Sequence, residues 1–133
     1  MRKIITFRFL AVIIAAVAFM ANPVAGFGKD KKVGIQLYSV MDAMRKDPQK
    51  SVERLTGMGY NVFELVQWGG DPKVFGMPAD EFKALCNKSG AEIVSTHSSI
   101  QEEPGNEEDV MNRWRKLFEI QKACGGKYFV IPS

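Results

Sequence analysis

The sequence predicts an α/β protein: a parallel (β/α)8 TIM-barrel type, truncated after its fourth strand, with about three and a half βα units. Three observations carry this reading. Strand-like segments start near residues 33, 62, 91 and 127, a spacing of 29, 29 and 36 residues. The first three are each followed by a helical stretch, the pattern of parallel strands joined by crossover helices. The chain of 133 residues then stops on the fourth segment, whereas eight units need ~250 residues.

The first 26 residues stand apart. Arg2, Lys3 and Arg8 make a positive start, Phe9 to Ala21 is an apolar run of 13 residues, and the small residues Ala25 and Gly26 follow Asn22-Pro23. Positive start, short apolar core and small-residue exit describe a secretory signal peptide. The run falls short of the ~20 residues a membrane-spanning helix needs. The sequence therefore predicts a signal peptide over 1–26, a linker over 27–32 and the domain over 33–133. The mature protein is expected to be exported, periplasmic, and without membrane attachment after cleavage.

Within the domain, Val33 to Val40 alternates and is rich in strand formers. Asp47-Pro48 starts a helix, with Asp as N-cap and Pro at the first helical position. Val52, Leu55 and Met58 form its apolar stripe, and Gly57 and Gly59 end it. The second strand spans Val62 to Gln67 and opens into the loop Trp68-Gly69-Gly70-Asp71-Pro72. A second helix follows Pro78, with Phe82, Leu85 and Cys86 on one face and Gly90 as its stop. Ala91 to His97 is the third strand, and Ser98 to Gly105 a polar loop. Asn106 is the expected N-cap of a third helix whose first turn holds Glu107, Glu108 and Asp109, acids suited to the positive end of a helix dipole. Val110, Trp114, Leu117, Phe118 and Gln121 mark its inner face, Gly125-Gly126 closes it, and Lys127 to Ser133 is the fourth strand.

Charge excludes one class of function. The net +3 resides in the leader, and without Arg2, Lys3 and Arg8 the chain carries 15 basic and 15 acidic residues. No basic footprint for DNA or RNA remains. Cys86 and Cys124 fall in different helices and are read as buried small hydrophobes, although an oxidising compartment would let them pair.

The informative residues are polar ones inside strands. A parallel strand covered on both faces should be almost wholly apolar, yet Gln36 and Glu64 sit mid-strand and His97 ends the third strand. Alternation groups Gly34, Gln36 and Tyr38 on one face, as it does Val62, Glu64 and Val66, and Ile93, Ser95 and His97. If these faces point into a barrel, Gln36, Glu64 and His97 converge near its C-terminal mouth, where barrel enzymes do chemistry. A buried carboxylate needs a partner or must lose its charge; the strand interiors offer no Lys or Arg, which favours a functional Glu64 over a structural one. His97, the chain's single histidine, is either hydrogen-bonded core or a group for substrate contact and proton transfer. Trp68 is either loop packing or an aromatic face for a sugar ring. Gln36 could orient a hydroxyl or bond a neighbour, and Tyr38 and Ser133 are marked only by their place at strand ends. The chain has no phosphate-cradling Gly-rich loop and no nucleophile elbow, and one histidine with one carboxylate does not make a metal site.

Taken in order, Val-Gly-Ile-Gln-Leu-Tyr-Ser-Val (33–40), Met-Gly-Tyr-Asn-Val-Phe-Glu-Leu (58–65), Ile-Val-Ser-Thr-His (93–97) and Gly-Gly-Lys-Tyr-Phe-Val-Ile-Pro (125–132) resemble the xylose isomerase-like barrel superfamily, in particular its sugar phosphate isomerase/epimerase proteins. The resemblance covers Lys32 to Ser133. It implies isomerisation or epimerisation of a sugar or polyol by proton transfer beside a carbonyl, assisted by a divalent metal. It places Glu64 and His97 at active-site positions, and it implies metal ligands on later strands that this chain does not contain. The alternatives within reach are a non-catalytic carbohydrate-binding protein, a lyase or hydrolase on oxidised sugars with the same fold, and a small flavodoxin-like domain. Half a barrel would leave two open sheet edges, so the chain is also expected to self-associate; a monodisperse monomer in light scattering would overturn that expectation.

Overall fold

A four-stranded parallel sheet organises the chain in strict sequence order. The computed structural model describes residues 31–68, 71–100 and 106–132; the expected signal peptide, residues 1–26, lies outside the described residues, as does most of the linker. The sheet strands are β1 (Gly34–Gln36), β2 (Val62–Trp68), β5 (Glu92–Ser99) and β6 (Tyr128–Val130), in the order β1-β2-β5-β6. Each pairs in parallel with the next. A flavodoxin-like sheet would reverse its order at a switch point; this one never does. It winds as a barrel sheet winds.

The helices lie against one face. They are α1 (Met41–Lys46), α2 (Pro48–Gly57), α3 (Ala79–Lys88) and α4 (Glu107–Cys124). Met44, Val52, Leu55, Phe82, Cys86, Ile120 and Cys124 from these helices pack with Phe63, Leu65 and Ile93 from the sheet in one core. Fully burying a side chain of this size contributes about 1.5–3 kcal/mol each. The start signals read from sequence hold at α2, where the Asp47 carboxylate accepts from the Lys50 amide at 2.9 Å and Pro48 opens the helix. Of its expected apolar stripe Val52 and Leu55 are buried, but Met58 lies just past the last turn and is exposed. The signals hold in part at α4. Its first turn carries Glu107, Glu108 and Asp109, and Gly125 caps its C-terminus at φ 81°, which only glycine adopts without strain. Asn106 occupies the N-cap position but its side chain makes no capping bond. On the inner face Val110, Leu117 and Gln121 are buried, while Trp114 and Phe118 stack at 6.0 Å beside Phe129 of β6, with Phe118 half exposed rather than turned inward.

Two strand boundaries need correction, and one element is new. The first strand ends at Gln36, not Val40: the backbone turns into a 3-10 helix over Leu37–Val40 and continues into α1. Leu37, Val40 and Met44 recur at helical spacing, and all three turn to the helix-side core, a pull that overrides the strand-forming side chains. A short antiparallel hairpin, β3 (Lys73–Val74) with β4 (Met77–Pro78), occupies a stretch to which the sequence assigns no element. Phe75 and Gly76 form its turn at φ 49° and 82°, and Val74 is buried. Finally, the fourth strand is short, Tyr128–Val130, and Ser133 lies outside the described residues.

Cys86 and Cys124 are free and buried. Burial pushes the Cys86 thiol up to about 12, with Cys124 adding to the effect, and raises Cys124 to about 11. Both are neutral thiols in neutral water, and Cys124 donates to the Ala79 carbonyl at 3.6 Å. No helix among the described residues is long and apolar enough to cross a membrane.

Candidate functional site

The face of the sheet turned away from the helices carries the polar residues. Register fixes their grouping: Gln36 of β1 lies beside Glu64 of β2, and Glu64 beside Ser95 of β5. That second pairing depends on a bulge. Phe63 pairs with Ile93 but Glu64 pairs with Ser95, so Val94 is an extra residue in β5. A bulge shifts the side-chain phase of everything beyond it. Ile93 therefore belongs to the helix-side core with Phe63, not to the face shared by Ser95 and His97. Simple alternation puts all three together; without the bulge, Ser95 and His97 would point at the helices.

On this face the side chains form one hydrogen-bonded chain. The Gln36 amide nitrogen donates to Glu64 Oε1 at 2.8 Å and lies 2.8 Å from His97 Nδ1, reaching over β2 to do so. The Ser95 hydroxyl donates to the other Glu64 oxygen at 2.5 Å. Gln36, Glu64 and His97 are half-buried, and Ser95 is buried. Glu64 thus has a neutral donor on each carboxylate oxygen where no lysine or arginine is available.

The structure therefore brings Gln36, Glu64 and His97 together and adds Ser95, which sequence reading placed on the right face without singling it out. Its signal was the hydroxyl two residues before His97, in register reach of Glu64. Tyr38 does not end a strand: it lies in the 3-10 turn after β1 and is more than half exposed. Trp68 is the last residue of β2, paired with Ser99, rather than the first of the loop; its side chain lies outside the described residues. A cleft of about 400 Å³ opens beside the end of β2, lined by Arg45, Val66, Asp71 and Lys73 among others. None of the four networked residues lines it, although Val66 is the register partner of His97.

Metal binding does not fit these residues. Among the described residues no three His, Cys, Asp or Glu side chains cluster as a metal site. Both Glu64 oxygens and His97 Nδ1 are engaged within the network. Gln36, Glu64, Ser95 and His97 bring one carboxylate and one imidazole, too few ligands for a metal centre by themselves.

The fold is similar to two crystal structures of sugar phosphate isomerase/epimerases from Parabacteroides distasonis. One superposes with a TM-score of 0.66 at 22% identity, over 85% of this chain and 42% of that one. The other gives 0.65 at 25% identity, over 77% of this chain and again 42% of that one. The chain spans about two fifths of the length of the structures it matches, and its fold is a partial xylose isomerase-like barrel. No family model and no curated protein matches it.

Proposed function

We propose that this chain contributes part of an active site of the sugar isomerase or epimerase kind, acting on a sugar or polyol by proton transfer beside a carbonyl. The observation that carries the reading is the Gln36–Glu64–Ser95–His97 network on the face away from the helices, in a chain whose fold matches part of proteins of that kind. Sugars present hydroxyl and carbonyl oxygens, and they are bound by groups that both donate and accept. Glu64 supplies an acceptor held in place from both oxygens, and His97 a second polar group half open to solvent. Such groups orient a hydroxyl and a carbonyl side by side, and pre-orientation is itself a large part of catalysis by proton transfer.

The test is a titration of the full chain with aldoses, ketoses, polyols and their phosphates, followed in deuterated water for exchange at the carbon beside the carbonyl. The expected result is binding of at least one of them, weakened about tenfold by His97→Ala, the worth of one hydrogen bond, with exchange at that carbon. Binding without exchange, surviving a chelator, would replace this reading with carbohydrate recognition alone. If none of them binds, the sugar reading is overturned.

A further inference from the structure

We infer that Gln36 is a positioning residue that fixes the tautomer of His97, so that the imidazole meets its ligand as an Nε2–H donor. The argument needs only donors and acceptors. A carboxylate accepts and cannot donate, so the Gln36 atom 2.8 Å from Glu64 Oε1 is the amide nitrogen. The same nitrogen is 2.8 Å from His97 Nδ1. An amide NH2 has two hydrogens and no lone pair to offer, so Nδ1 must accept. The ring proton then resides on Nε2. Turning the Gln36 amide over would set its carbonyl oxygen against a carboxylate oxygen, two acceptors with no proton between them. Rotating the carboxylate to escape is opposed by Ser95, which holds the other oxygen at 2.5 Å.

The chemical consequence separates two roles that sequence reading left open for His97. The lone pair at Nδ1 is spent on Gln36, and Nε2 has no partner among the described residues. The group on offer is therefore a neutral N–H, suited to a carbonyl or hydroxyl oxygen rather than to taking a proton from carbon. Gln36 in turn has both amide hydrogens committed and acts through Glu64 and His97, leaving only its oxygen for a ligand. The assignment stands whether or not the ligand is a sugar.

His97 is the only histidine in the chain, so its ring nitrogens can be read without assignment. In the full chain labelled with 15N-histidine, at alkaline pH where a histidine is neutral, long-range 1H–15N spectra should show a single species with the proton on Nε2. Gln36→Leu should shift the tautomer ratio about tenfold toward Nδ1–H, the worth of one hydrogen bond. Glu64→Gln should shift it in the same direction, since the replacement can donate as well as accept and no longer dictates which way the Gln36 amide faces. A proton on Nδ1 in the unsubstituted chain would overturn the inference, even if both variants failed to fold. An unchanged ratio in either folded variant would overturn it too.

Discussion

Phe82→Ala is expected to destabilise the domain by about 3–5 kcal/mol, the usual cost of removing a fully buried aromatic side chain. Phe82 has no exposed surface and sits in the core between α3 and the sheet, its ring 5.6 Å from that of Phe75 at the turn of the β3–β4 hairpin. Domains of this size are held by about 5–15 kcal/mol in all, so the loss is a fifth of the margin or more. Urea titration is the measurement: the midpoint should fall while the slope stays constant, since the surface exposed on unfolding hardly changes. Met58→Ala supplies the contrast. That side chain is 61% exposed, and its loss should fall within about 0.5 kcal/mol. Equal effects from the two substitutions would mean that Phe82 is not packed as described.

A second large effect is expected from one β-carbon. Gly126→Ala would place that atom on top of the Gln121 side-chain amide, closer than neighbouring atoms in folded proteins come. Gln121 cannot simply swing aside. It is buried in α4, accepts from the Thr96 hydroxyl of β5 and donates to the Tyr128 carbonyl of β6 at 2.7 Å. Displacing it strands two polar groups, at about 1–3 kcal/mol each, so the substitution should cost about 2–6 kcal/mol. Gln121→Ala should cost a similar amount by removing the same bonds. The double variant should cost little more than either single one, because the alanine at 126 then has room. Full additivity in this cycle would show that the two positions do not interact.

Much of the framework was legible before the structure. Asp47-Pro48 announced a helix because a carboxylate cap and a proline at the first position satisfy or remove the orphan N–H groups of the first turn. Phe82 and Cys86 announced the buried face of α3 by their spacing. Leu37 to Val40 reads as strand because its residues are strand formers, but Leu37, Val40 and Met44 also share a helical spacing, and burial against the helices decides between the two. The β3–β4 hairpin was missed because each of its strands is only two residues long, too short for any period to show. The site divides in the same way. Gln36, Glu64 and His97 stood out as polar residues in parallel strands, a contradiction visible in one dimension. Their bonding did not, since hydrogen bonds across 28, 31 and 61 residues leave no trace in local sequence.

Local sequence carries the βα rhythm, the Asp47 cap, most of the helix faces and the presence of misplaced polar side chains, because each is set by residues within a few positions of one another. The tertiary structure alone decided which side of the sheet the third strand's polar residues occupy. A period of two predicts a face only while the register is unbroken, and the register breaks once, between Ile93 and Ser95. That break is a property of the pairing between β2 and β5, not of either strand. It turns Ser95 and His97 toward Glu64 and Gln36, and so makes a site of four residues from three strands.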